Sequence, residues 1–248
     1  MPYADNGDVR IHYALEGDGH PVLLLPGLGL SATTWAQIGA RLSSKHLVIY
    51  ADPRGSAESD GPDAPYTGEH LAADMAAVLD AAGVQDAHVV GMSMGGMIAQ
   101  HVALEHPDRV RSLTLIATYA AADERARRVL DAALLHLPCR LTADAADTSG
   151  YARQLEFCRS HDTCARLCAL EVPTQVIVGT RDFLISTSAA RQLAELVSGA
   201  CYEEVQGASH GLIWERSEWV PERLADFCSK ASRITAPTAF NGTRRLAA

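Results

Sequence analysis

A serine set between glycines is the feature of this sequence that most directly suggests chemistry. Residues 89–100 read VVGMSMGGMIAQ, so Ser93 stands where an apolar run gives way to a helix-like pattern, with Gly91 and Gly95 on either side. Glycines permit backbone conformations that bulkier residues resist. A serine hydroxyl is a weak nucleophile near neutral pH unless a histidine accepts its proton and a carboxylate orients that histidine. The pattern therefore predicts a nucleophile whose two partners lie elsewhere in the chain.

The five residues from Gly91 to Gly95 match the G-x-S-x-G nucleophile elbow, a strand-to-helix turn that exposes its serine. The sequence in this respect resembles the α/β-hydrolase superfamily, and in particular the small enol-lactonases, carboxylesterases and cofactor-free perhydrolases that share a G-M-S-M-G-G elbow. The resemblance runs from Val9 to Cys228. It implies that the acid follows the serine in the chain and that the histidine follows the acid.

The expected acid is Asp182, which follows the apolar run 176–178 as G-T-R-D and so resembles the family's acid position. Asp123 and Glu124, past the preceding strand, are rivals, because some relatives supply the acid there. A purely structural role for Asp182, capping the next helix, is also open.

The expected base is His210, in the small-residue loop VQGASHG between a predicted strand and the last predicted helix. The family resemblance puts the catalytic histidine in this loop. The other nine histidines are interpreted as surface or packed residues: His12, His20, His46, His70, His88, His101, His106, His136 and His161.

Attack on a carbonyl creates a negative oxygen that needs hydrogen-bond donors. The resemblance implies two backbone N–H groups, those of Met94 in the elbow and Leu28 in the loop after the strand 22–25. This chain has Pro26-Gly27 where the family commonly has His-Gly. Residues 52–59 (DPRGSAES) resemble the family's D-x-R-G-x-G-x-S turn and are interpreted as scaffold, and Trp35 is interpreted as a core residue.

Short apolar runs alternate with helical patterns along the chain, which indicates a parallel sheet with helices on both faces. Predicted strands are 9–15, 22–25, 47–50, 87–90, 112–117, 174–178 and 201–205, and predicted helices are 34–42, 68–82, 94–106, 188–197 and 218–228. The expected fold is the α/β-hydrolase fold, with a core of residues 1–120 and 172–228. Residues 121–171 show only helical patterns and are expected to form a short helical cap, or else a plain crossover of helices without a role over the site.

An apolar stripe of Val129, Leu130, Ala133, Leu134 and Leu137, stopped by Pro138, is expected to face the site from the cap. Residues 229–248 lose this periodicity and are expected to form a flexible C-terminal tail.

Composition and the absence of certain sequence patterns argue against several classes of partner and site. The 248 residues carry a formal net charge of −9, which argues against nucleic acid as a partner. The chain has no signal-like start and no apolar run of the roughly 20 residues that span a membrane, so we expect a cytoplasmic protein without a membrane partner. Six cysteines are expected to be reduced and mostly buried, and their spacing, Cys164 and Cys168 near His161 included, does not favour a metal site.

These features predict an enzyme that hydrolyses a small-molecule carboxylic ester or lactone through a Ser-His-Asp triad and an acyl-enzyme. The family resemblance implies no metal and no organic cofactor. Perhydrolysis, C–C bond cleavage or cyclisation of a biosynthetic intermediate on the same machinery stays open, because a fold does not fix a reaction. A non-catalytic ligand receptor is the third alternative.

Overall fold

An eight-stranded sheet runs through the centre of the molecule. A computed structural model describes residues 2–135 and 148–235. The strands are β1 (Tyr3–Asn6), β2 (Val9–Glu16), β3 (His20–Leu25), β4 (His46–Ala51), β5 (Ala87–Met92), β6 (Val110–Ile116), β7 (Thr174–Gly179) and β8 (Cys201–Val205). Their spatial order is β1-β2-β4-β3-β5-β6-β7-β8.

The sheet is parallel except at its beginning. Strand β2 pairs antiparallel with β1 and with β4, whereas all pairs from β4 to β8 are parallel. Strand β5 lies between β3 and β6, and each of its residues is buried. Because both faces of β5 are covered, its apolar residues are consecutive rather than alternating, and its one ionisable side chain, that of His88, is buried with them.

Eight helices accompany the sheet in the described residues: α1 (Ala36–Leu42), α2 (Gly68–Ala81), α3 (Met94–Glu105), α4 (Glu124–Leu135), α5 (Thr148–Ser160), α6 (Thr187–Leu196), α7 (Leu212–Glu215) and α8 (Trp219–Thr235). One apolar core joins α1 and α8 to a face of the sheet, and a second joins α2, α3 and α6 to the opposite face. The predicted fold class, a mostly parallel sheet with helices on both faces, is confirmed. None of the described helices is both long enough and apolar enough to span a lipid bilayer.

Two helices, α4 and α5, lie in the segment predicted as the cap, between β6 and β7. Helix α4 begins after Asp123, whose Oδ1 accepts a hydrogen bond from the N–H of Ala126 at 2.7 Å. Its amphipathic sequence buries Leu130 and half-buries Val129 and Ala133. The remaining members of the predicted stripe, the Leu134 side chain, Leu137 and Pro138, lie outside the described residues.

The structure corrects the expected limits at both ends of the chain. Strand β1 pairs with β2 through Asn6↔Val9, a hairpin that the sequence analysis missed. Helix α8 continues to Thr235, so residues 229–235 are helical rather than part of a tail. The rest of the predicted tail, 236–248, lies outside the described residues. Helix α8 continues beyond Cys228 because Ala231 is still buried against the molecule.

The cysteines are less buried than expected. Cys158 and Cys228 are buried and Cys164 is partly buried, but Cys168 and Cys201 are exposed, and all five are free thiols. Cys201 begins the edge strand β8, and Cys168 lies in a surface 3-10 turn, Leu167–Ala169, which accounts for their exposure. Cys139 lies outside the described residues.

Candidate active site

Ser93 occupies a sharp turn between β5 and α3. Its φ of 55° and ψ of −120° lie in a region that residues with a Cβ rarely adopt. The turn is held by hydrogen bonds around the serine backbone: its N–H donates to the Ile116 carbonyl at 2.8 Å, and its carbonyl accepts from Thr118 Oγ1 at 2.8 Å. A strained residue persists when its surroundings fix it, and this geometry is that of a nucleophile elbow.

The glycines around Ser93 are required by close approach, not by their own dihedral angles. A Cβ on Gly91 would collide with the carbonyl oxygen of Gly95, and a Cβ on Gly95 would collide with the carbonyl oxygen of Leu25. A Cβ on Gly96 would lie 2.7 Å from the Cβ of Thr118. The unusual backbone conformation is therefore taken by the serine, and the glycines let strand, turn and helix pack against one another.

The side chains of Ser93, His210 and Asp182 form one hydrogen-bonded chain. His210 Nε2 lies 3.1 Å from Ser93 Oγ, and His210 Nδ1 lies 2.8 Å from Asp182 Oδ2. Because a carboxylate only accepts, Nδ1 carries the proton and Nε2 is left to accept from the serine hydroxyl. The Asp182 side chain is 0% exposed and that of His210 is 16% exposed. The structure thus brings together the three residues named from the sequence.

The second carboxylate oxygen of Asp182 is also occupied. Its Oδ1 accepts hydrogen bonds from the N–H groups of Leu184 and Ile185, each at 2.8 Å. These bonds hold the carboxylate in its own loop while Oδ2 faces the imidazole. The helix that follows is capped instead by Ser186, whose side chain accepts from the Ala189 N–H. Asp182 therefore has both a local structural role and a contact with His210.

The two rival acids are engaged elsewhere. Asp123 caps α4 with one oxygen and accepts from Ser186 Oγ at 3.1 Å with the other. Glu124 pairs with Arg128 on the exposed side of α4. Of the three candidate acids, all in described parts of the chain, Asp182 alone is hydrogen-bonded to His210.

The loops that carry Asp182 and His210 are bonded to each other. Arg181 N–H donates to the Ala208 carbonyl at 2.9 Å, and Gly207 N–H donates to Thr180 Oγ1 at 2.9 Å. The hydroxyl and the N–H of Ser209 donate hydrogen bonds to the Glu215 carboxylate, and these bonds lower the pKa of that carboxyl. Because Glu215 belongs to α7, they anchor the loop of His210 to this helix. These links between neighbouring strand ends fix the distance from acid to imidazole.

Several other histidines are packing residues, as the sequence analysis interpreted them. Burial lowers the pKa of His88 to about 4 and that of His161 to about 3, and it also lowers the pKa of His46 and His101. His12 is buried with its Nδ1 2.6 Å from Asp52 Oδ2. His136 lies outside the described residues.

The loop 26–30 lies against the nucleophile. A Cβ on Gly27 would lie 3.4 Å from the Ser93 Cβ, and Leu28 lines the cavity above the serine. Met94 is the first residue of α3, so its N–H has no acceptor within the helix. The two backbone groups named from the sequence as oxyanion donors, those of Leu28 and Met94, thus belong to segments that flank Ser93.

A cavity of about 350 Å³ opens onto Ser93 and His210. Val129, Leu130 and Ala133 of α4 form part of its wall, together with Tyr119 and Cys158. The Tyr119 hydroxyl donates to the Cys158 carbonyl at 2.8 Å and is thereby occupied. Burial raises the pKa of the Cys158 thiol, which therefore stays protonated near neutral pH and does not compete with Ser93 as a nucleophile.

Two exposed aromatic side chains at the cavity were missed from the sequence. Phe183 and Trp214 line it and are 63% and 48% exposed. They follow Asp182 by one residue and His210 by four, and this proximity was the signal available in the sequence. Of the residues in 2–135 and 148–235 that line the cavity, none is Asp, Glu, Lys or Arg. The described residues thus give the space in front of Ser93 and His210 a mostly apolar lining without charged side chains.

The turn 52–59 is mostly buried and packs into the core, in agreement with its interpretation as scaffold. Arg54 makes two 2.6 Å hydrogen bonds to the carboxylate of Asp74, which is fully buried. Ala57, which replaces the family's common glycine, has a φ of 45°, the left-handed region that favours glycine. Trp35 is likewise fully buried, in the core beneath α1 and α8.

Within 2–135 and 148–235, His, Cys, Asp and Glu side chains form no group of three or more that could hold a metal ion.

Known proteins share the fold of this chain. The family model described as alpha/beta hydrolase fold matches residues 20–148. RutD of Azorhizobium caulinodans, named as a carbamate hydrolase, is 31% identical over 262 residues, which cover 93% of this chain and 99% of RutD. The enol-lactonase of Burkholderia xenovorans LB400 has a TM-score of 0.80 at 29% identity, covering 92% of this chain and 100% of its own. A thermophilic esterase from Thermogutta terrifontis has a TM-score of 0.79 at 25% identity, covering 90% of this chain and 94% of its own.

Proposed function

This chain belongs to the α/β-hydrolase fold family, and we propose that it is a serine hydrolase that cleaves a carboxylic ester or a lactone through an acyl-enzyme on Ser93. The observation that carries the proposal is the continuous hydrogen-bonded chain from Ser93 Oγ through His210 to Asp182, with links of 3.1 Å and 2.8 Å. Relatives that match nearly the whole chain are named as a carbamate hydrolase and an enol-lactonase.

In the proposed reaction, His210 Nε2 takes the proton as Ser93 Oγ attacks the carbonyl carbon. Asp182 stabilises the imidazolium through Nδ1–H. The negative oxygen of the tetrahedral intermediate accepts hydrogen bonds from the N–H groups of Met94 and Leu28. The positive end of α3 lies beside that oxygen and favours its charge.

His210 then returns its proton to the leaving alcohol, which departs as the acyl-enzyme forms. Water enters, His210 accepts one of its protons, and a second tetrahedral intermediate collapses to release the acid and restore Ser93. Every proton in this cycle moves between His210, Ser93, water and substrate. The reaction as proposed therefore requires neither a metal nor an organic cofactor.

The cavity supports a small-molecule substrate with an uncharged, apolar acyl group. Its volume of about 350 Å³ is at the lower end of the range for ligand pockets. A carboxylate or amine carried into this space would lose its hydration without gaining a charged partner from the described lining residues. The N–H groups of a small carbamate would likewise lose their hydrogen bonds to water, because the described lining is mostly apolar. We therefore favour an ester or lactone over the carbamate for which RutD is named.

A panel of p-nitrophenyl esters of increasing acyl length, several lactones and a carbamate tests the proposal. Ser93 should be labelled by a fluorophosphonate, and Ser93→Ala should lose both labelling and turnover. His210→Ala should lower kcat by several orders of magnitude. Ser160→Ala is the matched control, because Ser160 is on the exposed end of α5 and bonds only within that helix in the described structure.

Each outcome of this panel has a definite meaning. Hydrolysis of esters or lactones that disappears with Ser93→Ala supports the proposal, and unchanged turnover in that variant refutes it. Preference for the carbamate would refute the assignment of substrate class while leaving the nucleophile intact.

A further inference from the structure

A buried glutamine in the cap contacts the loop that carries Leu28. Gln154 lies on α5 and is 0% exposed. Helix α5 approaches the scaffold turn closely near its start, since a Cβ on Gly55 would lie 2.9 Å from the Gly150 Cα. Gln154 follows Gly150 by four residues and so lies on the same face of the helix. Its side chain is thereby directed between the cap and the core.

The Gln154 amide joins three segments that are remote in sequence. Its Nε2 donates to the Arg54 carbonyl at 2.8 Å and to Ser56 Oγ at 2.7 Å, while its Oε1 accepts the Gly29 N–H at 3.1 Å. Reversing the amide would bring two carbonyl oxygens together at Arg54, so these partners define its orientation. One side chain thus links the cap helix, the scaffold turn and the loop 26–30.

The Gly29 N–H belongs to the central peptide of a tight turn. Leu30 N–H donates to the Gly27 carbonyl at 3.1 Å, which closes a β-turn over Leu28 and Gly29. Gly29 has a φ of 67°, whereas the φ of Leu28 is not positive. A positive φ at the second central residue alone is the pattern of a type II turn. A type I turn differs by a rotation of the central peptide of about 180°. The bond to Gln154 stabilises the observed orientation.

We infer that Gln154 is a positioning residue for the oxyanion hole. The inference rests on the proposed function, in which Leu28 donates its N–H to the reacting oxygen. Leu28 is held on one side by Gly27, which packs against Ser93, and on the other by Gly29, which is bonded to Gln154. Gln154 is not among the described residues that line the cavity, so it acts through the loop rather than on the substrate.

The cap consequently has a second role besides covering the cavity. An oxyanion donor displaced by about 1 Å can lower a rate by about 100-fold, because transition-state stabilisation depends steeply on geometry. Substrate binding depends on the apolar walls and should be little affected. The inference therefore predicts a loss in kcat with KM preserved, which general loosening of the cap over its substrate would not produce.

Three variants test the inference on the full chain, with active sites counted by fluorophosphonate labelling. Gln154→Met keeps the length of the side chain but removes its acceptor and donor. We expect kcat to fall about 10- to 100-fold with KM within about twofold. The affinity for an alkyl boronic acid, which adds to Ser93 Oγ as a tetrahedral anion, should fall by a similar factor.

Ser56→Ala is the matched control. It removes one partner of Gln154 on the scaffold turn and leaves the bond to Gly29, so kcat should stay within about threefold of wild type. Gln154→Glu gives a second readout. A protonated glutamic acid can reproduce the acceptor and one donor of glutamine, whereas the carboxylate cannot donate to Arg54. The ratio of its kcat to that of wild type should rise as the pH is lowered.

The results separate this inference from the proposed function. If Gln154→Met keeps its kcat within threefold, or if Ser56→Ala lowers kcat as much as Gln154→Met does, the inference is wrong. If Gln154→Met does not fold, a kcat ratio for Gln154→Glu that is independent of pH overturns it. If wild-type turnover survives Ser93→Ala, the proposed function itself fails.

Discussion

Acid should destabilise this protein through His88, a buried imidazole that is not among the described residues lining the cavity. His88 lies on β5, where its Nδ1 is 2.7 Å from Ser112 Oγ and its Nε2 is 3.3 Å from Ser232 Oγ on α8. Burial, helped by the positive charge of Arg111, lowers its pKa from 6.5 to about 4. The folded protein therefore favours the neutral imidazole.

The sign and size of the effect follow from the two pKa values. Between about pH 6.5 and pH 4 the unfolded chain binds the proton of His88 and the folded chain does not, so stability falls as the pH falls through this window. The full shift corresponds to roughly 3 kcal/mol, because each pKa unit is worth about 1.4 kcal/mol. Integrating from pH 7 to pH 5 gives a loss of about 2 kcal/mol from this one residue.

Urea unfolding at pH 7 and pH 5 measures the effect. His88→Gln removes the titration, so the free energy of unfolding of this variant should fall by about 2 kcal/mol less than that of wild type over the same range. Contributions from the other buried histidines cancel in this difference. His70→Gln, at an exposed position, is the matched control and should follow wild type. Equal pH dependence in His88→Gln and wild type would refute the reasoning.

Three further substitutions test the packing that positions the site. Gly95→Ala should abolish activity and lower the melting temperature, because the added Cβ would overlap the Leu25 carbonyl oxygen. An active and stable variant would contradict this account of the elbow. Arg54→Met should cost about 3–5 kcal/mol in urea unfolding, since it leaves the buried Asp74 carboxylate without its cation, and a loss below about 1 kcal/mol would count against this. Ala57→Gly should leave stability within about 1 kcal/mol of wild type or raise it, because relief of the positive φ offsets the added chain entropy; calorimetry showing a larger loss would disprove the strain.

Much of the fold could be predicted from local pattern. Strands β5 and β7 contain consecutive apolar residues because both of their faces are covered, and such short runs are visible in a single sequence. Strand β1 was missed because Tyr3–Asn6 is short, lies at the sheet edge and gains its pairing from β2 through the turn at Gly7. The end of α8 was placed too early because Ala231 is kept in the helix by burial, which a weak apolar pattern does not reveal.

The candidate site also combines features that are visible in the sequence with features that depend on tertiary contacts. Ser93 could be named because the glycines that its turn requires lie within a few residues of the serine, although Gly95 and Gly96 owe that requirement to Leu25 and Thr118, which are distant in the chain. Asp182 rather than Asp123 contacts the imidazole, because the hydrogen bonds of two loops direct one carboxylate to His210 and the other to Ser186. Gln154 gave no signal at all, since it stands 125 residues from Gly29 in the chain.

The sequence by itself determined most of the strands and helices and the elbow, because these depend on neighbours along the chain, and its resemblance to a known family named the residues able to form a triad. Only the tertiary structure decided which carboxylate contacts the imidazole, how large and apolar the cavity is, and which cap residue contacts the loop of Leu28. Those features are distances between segments far apart in the sequence. They are defined only once the sheet has aligned its strand ends at one edge and the helices have packed over it.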